Sequence, residues 1–203
     1  MNADERISMT ELTVETLLHA YAKGIFPMDN HGVLEWYRPN PRGIIPLDSR
    51  FHIPSRLART VRSGKYRTTC DAAFRDVMRA CAEPRIDAPS SWISERFIDV
   101  YGELHQRGFA HSIETWRGDT LVGGLYGVAL GGLFAGESMF SRDRDASKVA
   151  LVALVDRLRR NGFVVLDTQW VTEHLSQFGS YWMPGSLYKV VLAQALRTQT
   201  TWN

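Results

Sequence analysis

Asp167 and Gln169 stand two residues apart at the end of the apolar run Phe163-Val164-Val165-Leu166. On a strand, residues two apart point to one side, so an acid and an amide are expected to emerge together where the strand ends. The pair offers a carboxylate that accepts hydrogen bonds and an amide that both donates and accepts. A third polar side chain, Glu137, follows Gly136 and lies among Phe134, Met139 and Phe140. An acid in such apolar company is costly to bury unless it has a partner or a task.

A different chemistry is written between Asp48 and Asp71, where no acid occurs but Arg50, Arg56, Arg59, Arg62, Lys65 and Arg67 all do. Arg56, Arg59 and Arg62 recur at intervals of three and so drift slowly around a helix surface. The run is either a solvated face or a contact for phosphates, and the formal net charge of +2 is too small to decide between them. Cys70 and Cys81 have neither metal-ligand spacing nor the look of a disulfide framework, and read as free thiols in a reducing compartment. His105 and His111 flank a turn without a partner at catalytic or metal spacing and read as structural.

The elements that must position these groups follow from local signals. Thr13 caps a helix with Val14, Leu17, Leu18 and Tyr21 on one face and Gly24 as its stop. An aromatic- and proline-rich segment follows, with Ile25 to Met28, Trp36-Tyr37 and the turn at Pro39 to Arg42, and reads as a small satellite core. Strands are expected at 43–47, 66–70 and 163–166, and helices at 55–63, 72–82, from Ser94 onward, 146–161, 171–178 and 186–196. The turn Arg117-Gly118-Asp119 and the pair Gly131-Gly132 each close a β-hairpin. Gly123, Gly124, Gly127, Gly131, Gly132 and Gly136 are more glycine than a strand pair needs, so something must approach that backbone closely.

At 203 residues with 44% hydrophobic and 23% charged side chains, the chain is expected to fold as one domain or as a large domain with a small appendage. The start of the chain lacks a signal peptide's basic and apolar regions, and no run of about 18 apolar residues occurs, so a cytoplasmic protein without a membrane segment is expected. Hairpins flanked by helices suggest an α/β layer fold.

The string GGLYGVALGGLFAGESMFSRDRDASKVAL, with HSIETW before it, LDTQWVTEHL after it and AYAKGIFPM near the start, resembles the leucyl/phenylalanyl-tRNA-protein transferase family from about Leu17 to Leu192. The resemblance implies an α/β (α+β) fold with an abbreviated small N-terminal domain, 1–42, and a GCN5-related acetyltransferase-like domain, 43–203. It implies transfer of Leu or Phe, and to a lesser extent Met, from aminoacyl-tRNA to the N-terminal amine of proteins beginning with Arg or Lys, marking them for degradation. No cofactor, metal, DNA or membrane enters that reaction. Residue by residue, Gln169 matches the position proposed to accept a hydrogen bond from the incoming amine, and Asp167 the position proposed to polarise it or to take the proton. Trp92 and Tyr101 match walls of the pocket for the terminal adenosine and its ester, and Met28 belongs to the N-terminal unit that closes one side. Leu125, Phe134, Met139, Leu151 and Leu166 match the apolar pocket for the transferred side chain. Arg56, Arg59, Arg62, Lys65 and Arg67 become the tRNA contact. Glu137 is left with two roles, selection of the acceptor's cation or attachment of the ester's own ammonium.

An acyl-CoA-dependent N-acetyltransferase and a non-catalytic RNA-binding module are the competing readings. Ser141 to Ser147, which enters a helix, has no glycine and two acids, which disfavours a CoA pyrophosphate there. An RNA-binding module would leave Glu137, Asp167 and Gln169 without a purpose.

Overall fold

The computed structural model describes residues 11–84 and 91–202. The polar leader up to residue 10, and residues 85–90 of the loop expected between Glu83 and Ser91, lie outside the described residues.

The chain first builds a small unit. Thr13 caps α1 (Val14–Ala22) by accepting from the Thr16 backbone N–H at 3.1 Å, as expected of a β-region threonine at that place. The aromatic segment after it is more ordered than its prolines suggest: β1 (Phe26–Asn30) and β2 (Val33–Tyr37) form an antiparallel hairpin with Pro27 opposite Trp36. A two-stranded sheet has only edge strands, which tolerate a proline that cannot donate.

The larger part is a seven-stranded sheet formed by β3 (Arg42–Ile45), β4 (Arg67–Cys70), β5 (Ala110–Arg117), β6 (Thr120–Leu130), β7 (Leu133–Ser141), β8 (Val165–Gln169) and β9 (Tyr181–Met183), in the order β4-β5-β6-β7-β8-β3-β9. Every neighbouring pair is antiparallel except β7 and β8, which run parallel. The chain between those two is α5 (Ala146–Arg160), as a parallel step requires a long crossover. This is the mixed α/β architecture expected, with a small N-terminal region and a sheet-containing remainder.

The two sheet faces are covered differently. α1, the β1–β2 hairpin, α3 (Phe74–Ala82) and α4 (Glu95–Gln106) pack over Tyr126, Val128 and Ala135 on one side. α2 (Ser55–Arg62) and α5 pack over Ile113, Leu125, Phe134 and Leu166 on the other. α7 (Gly185–Ala195) closes a smaller cluster over Ile44, Leu133 and Val165. Adjacent residues such as Leu125 and Tyr126 serve opposite faces because strand side chains alternate. The N-terminal unit therefore shares a core with the sheet.

Some local expectations are revised. The helix expected over 171–178 shrinks to the single turn α6 (Glu173–Ser176), and Tyr181 to Met183 becomes an edge strand. Ser94 does precede α4, but its hydroxyl makes no cap hydrogen bond. The glycines are crowded by the protein itself. A Cβ on Gly123 would lie 2.5 Å from Ala146 Cβ, and one on Gly127 would lie 2.3 Å from the Ala135 carbonyl and 2.4 Å from the Phe134 ring. No helix among the described residues is long and apolar enough to cross a membrane.

Crowding of this kind is graded along the hairpin. Gly127→Ala forces backbone apart and should destabilise by about 1–3 kcal/mol, the usual cost of overpacking. At Gly136 the nearest atom to an added Cβ is the Asp167 carbonyl at 3.7 Å, so Gly136→Ala meets ordinary contact and should cost less. Urea unfolding midpoints of the two variants check the order.

Candidate functional site

Pairing between β7 and β8 covers only Leu133 to Ala135 against Val165 to Asp167. Beyond the Ala135–Asp167 pair the parallel strands are no longer joined, and Glu137 on β7 and Gln169 on β8 flank the place where they part. Their side chains meet there, with Gln169 Nε2 3.4 Å from Glu137 Oε1. The sheet thus brings together the three polar residues singled out from the sequence.

Neither Asp167 nor Gln169 stands free at the strand end, which corrects the picture drawn from alternation alone. Asp167 is 0% and Gln169 5% exposed. β3 lies antiparallel to β8 on the other side and brings Arg42 across it. Arg42 Nε donates to Asp167 Oδ1 at 2.8 Å and Oδ2 at 3.0 Å, and Nη2 donates to Oδ2 at 2.7 Å. Tyr188, on α7, donates its hydroxyl to Oδ2 at 2.5 Å, and the Gln169 backbone N–H donates to Oδ1 at 2.9 Å. Gln169 itself has φ +58, a left-handed backbone unusual for a residue with a Cβ. Arg42 and Tyr188 were not anticipated from the sequence. A charged residue opening the otherwise buried run Gly43-Ile44-Ile45 was the signal for Arg42, whereas Tyr188 carried none.

Glu137 has a different setting. It is only partly exposed, and burial pushes its carboxyl from 4.5 up to about 8; a hydrogen bond from Tyr21 opposes this, nearby Asp167 adds to it, and Arg42 opposes it. Below it, the hydroxyls of Tyr21 and Tyr101 are 2.5 Å apart, and burial, with Glu137 close by, raises both phenols well above their ordinary range. The site therefore contains one carboxylate saturated with donors and one acid short of them. A cation brought beside Glu137 would favour its ionised form.

The remaining anticipated residues fall into three groups. Met28 and Trp92 meet, with Asn30, Tyr37 and Ser94, on the wall of a cleft of about 600 Å³ between the β1–β2 hairpin and the start of α4. Tyr101 lies deeper, buried under Tyr21 rather than on that wall. Leu125, Phe134, Leu151 and Leu166 are fully buried in one cluster, with Met139 partly exposed against it. Of the basic set, Arg56, Arg59 and Arg62 lie on α2, and Lys65 and Arg67 follow it. Arg56 is committed to Asp145, with Nη1 2.7 Å from Oδ2 and Nη2 2.9 Å from Oδ1. Lys65 lies 3.4 Å from Asp143, and Arg67 covers the Trp116 ring. Arg59 and Arg62 are exposed and make no ion pair among the described residues.

His105 and His111 do have a carboxylate neighbour, Asp71, supplied from a distant stretch of chain. The ligand atoms are already satisfied by protein. His111 bonds Asp71 Oδ2 at 2.8 Å and the Gly108 carbonyl at 3.1 Å, His105 bonds the Ala110 carbonyl at 2.8 Å, and Trp202 Nε1 donates to Asp71 at 2.8 Å. The cluster fastens the end of the chain to β5.

Against this geometry, comparison with known proteins is specific. A family model described as leucyl/phenylalanyl-tRNA protein transferase matches residues 44–193, and a second, described as the N-terminal domain of the same family, matches residues 10–40. The chain belongs to the leucyl/phenylalanyl-tRNA protein transferase family. A protein of Herpetosiphon aurantiacus that bears the family's name is 54% identical over 94% of this chain and 97% of its own length. Namesakes from Paramagnetospirillum magneticum and Salinibacter ruber are 52% and 50% identical, over 96% and 95% of this chain and 93% and 84% of their own lengths. The chain is accordingly a transferase, and the parted strands lie within the region matched by the larger family model.

The raised pKa of Glu137 has a stability consequence. A carboxyl whose folded value lies above its unfolded one contributes its full stability below about 4.5, and this is lost as pH rises towards about 8. Glu137→Gln, which cannot ionise, should therefore gain on the wild type across that window and keep a constant lead above it. Urea midpoints at intervals from pH 5 to 9 measure the gap; a gap independent of pH would show that Glu137 is not held protonated.

Proposed function

We propose that this transferase moves Leu or Phe, and Met less well, from aminoacyl-tRNA to the α-amine of proteins beginning with Arg or Lys, marking them for degradation in the cytoplasm. The observation that carries the proposal is Glu137, an acid short of hydrogen-bond donors and facing Gln169 where β7 and β8 part. Such an acid is completed by a cation. An acceptor with Arg or Lys at its first position brings a cation attached to the residue whose amine must react.

An aminoacyl ester is already activated towards amines. The nitrogen lone pair adds to the ester carbonyl carbon, a C–N bond forms, the C–O bond to the terminal ribose breaks, and the departing oxygen takes up a proton while the amine loses one. An α-amine has a pKa of about 8, so a substantial neutral fraction exists without a strong base. What the protein must supply is alignment, which by itself can lower a barrier by roughly 7–11 kcal/mol. In this reading the Gln169 side-chain carbonyl accepts a hydrogen bond from the amine, and Asp167 holds and polarises the strand end that carries it.

The other groups take the donor. Trp92 offers an aromatic face to the terminal adenosine beside Met28, and Tyr101 supports that wall from below. Leu125, Phe134, Met139, Leu151 and Leu166 receive the transferred side chain. Because an apolar pocket distinguishes neighbours by only about 1–3 kcal/mol per methylene, Met is accepted as a minor donor. Arg59 and Arg62, exposed on α2, take tRNA phosphates, with Arg56, Lys65 and Arg67 beside them.

The deciding assay mixes the protein with Leu-tRNA labelled in its leucine and with peptides beginning with Arg or with Ala. Label is expected on the Arg peptide alone; acetyl transfer from acetyl-CoA without any aminoacyl transfer would refute the reading. Gln169→Ala should lower kcat by roughly a hundredfold, the usual loss of an oriented polar group at a reacting centre.

The basic surface makes a separate prediction. Replacing Arg59 and Arg62 with Ala should weaken tRNA binding and flatten the slope of log affinity against log salt by about 2, one for each phosphate contact removed. Filter binding between 50 and 200 mM salt reads the slope, and an unchanged slope returns α2 to a solvated face.

A further inference from the structure

We propose that Arg42 and Tyr188 are positioning residues for the transfer reaction, which lock Asp167 so that it fixes the Gln169 turn instead of taking a proton. The inference rests on the functional reading above and concerns how the strand end is held.

A carboxylate has roughly four lone-pair sites. Asp167 receives Arg42 Nε on both oxygens, Arg42 Nη2 and Tyr188 Oη on Oδ2, and the Gln169 N–H on Oδ1. Its oxygens are therefore filled, and accepting a proton from an amine would require a donor to leave. The carboxylate is buried with Arg42, whose side chain is 1% exposed, so no solvent replaces a lost donor. The group that reaches the reacting atoms is Gln169, and Asp167 acts through it.

Gln169 needs this help. A left-handed backbone at a non-glycine residue costs on the order of 1–3 kcal/mol and persists where the surroundings enforce it. Here the enforcing contact is the hydrogen bond from its own N–H to Asp167. The facing strand makes room for the turn: Gly43 pairs with Gln169, and a Cβ on Gly43 would lie 2.3 Å from the Trp170 carbonyl carbon. Consecutive residues of β3 thus do complementary work, with Arg42 holding the carboxylate and Gly43 admitting the turn.

The same guanidinium reaches into the N-terminal unit. Arg42 Nη1 donates to the Gly24 carbonyl at 2.8 Å, and the guanidinium carbon lies 5.3 Å from the centre of the Phe26 ring and 4.9 Å from that of Tyr188. α1's terminal turn, β1, β3, β8 and α7 all converge on one cation. Through it, the seating of the N-terminal unit fixes the geometry of Gln169.

Tyr188→Phe keeps the ring and removes one donor, and Arg42→Lys keeps the charge and removes the two-pronged fit. With labelled Leu-tRNA and an Arg peptide, Tyr188→Phe is expected to lower kcat by roughly tenfold, the equivalent of one charge-assisted hydrogen bond, with both KM values within about twofold of wild type. Arg42→Lys should lower kcat further. Combined with Asp167→Asn, Tyr188→Phe should add no further loss. A folded Tyr188→Phe that keeps wild-type kcat, or one that loses only in KM, overturns the proposal. Independently of activity, the Gln169 backbone amide proton resonance should shift in Tyr188→Phe; an unmoved resonance also overturns it. That second reading separates two failures: a wild type that transfers nothing defeats the functional reading, while the resonance still decides the lock.

Discussion

The structure depends on a buried ion pair. Arg42 and Asp167 have side chains 1% exposed each and lie 2.7 Å apart. Taking two charges out of water costs several kcal/mol per ion, which mutual attraction offsets only when geometry is good and the remaining donors and acceptors are matched. Both conditions are met here by groups from separate parts of the chain: the Gly24 carbonyl for the guanidinium, and the Tyr188 hydroxyl and Gln169 N–H for the carboxylate. Each of those groups is held in turn by its own element. The pair therefore ties α1, β3, β8 and α7 to one another, and no single element can move without leaving a buried charge poorly matched.

That constraint explains why the site lies where it does. Two parallel strands that separate after the Ala135–Asp167 pair expose backbone and side chains that a continuous sheet would cover. On the β8 side the opening is fixed by β3, which pairs Gly43 with Gln169 and Ile44 with Asp167. The β7 side is supported from the opposite strand by β6, which pairs with it from Leu133 to Ser141. Rigid supports on both flanks allow Glu137 to be partly buried and poorly provided with donors without the strands closing over it.

Much of the fold was legible because its signals are local. The hairpin turns at Gly118 and at Gly131-Gly132, the Thr13 cap and the apolar face of α5 each depend on residues within a few positions of one another. Asp167, Gln169 and Glu137 could be singled out for the same reason, by their type and their immediate neighbours. What remained hidden is non-local. Arg42 is 125 residues from Asp167 and looked like the end of a proline turn, and Asp71 is 40 residues from His111, so neither pairing leaves a mark in spacing. The β1–β2 hairpin was obscured by Pro27, which is tolerated because the pair has no further neighbour. The glycines were recognised as points of close approach, but the approaching atoms at Gly123 and Gly127 are Ala146, Ala135 and Phe134, and a sequence does not distinguish a crowding core from a crowding ligand.

Two acids in one site with opposite provision of donors is an economical way to divide labour. Asp167 receives donors from Arg42, Tyr188 and the Gln169 backbone, and in the proposed reading it serves geometry. Glu137 has the Gln169 amide at 3.4 Å and the Tyr21 hydroxyl, while burial holds its carboxyl near 8. If the proposed reading holds, a resident arginine hydrogen-bonded to Glu137 would have stabilised the empty protein and removed the reason for a cationic acceptor to bind. Under the proposed reading, selectivity for an acceptor that begins with Arg or Lys then comes from incomplete provision. In that reading the cation that completes Glu137 arrives with the substrate, already linked to the amine that Gln169 orients. An acceptor without that cation would then leave the acid protonated and the amine without a tether. Discrimination then rests on a hydrogen-bonded ion pair that the acceptor completes, because Arg42, which acts on Glu137 only through space, gives its hydrogen bonds to Asp167 and the Gly24 carbonyl.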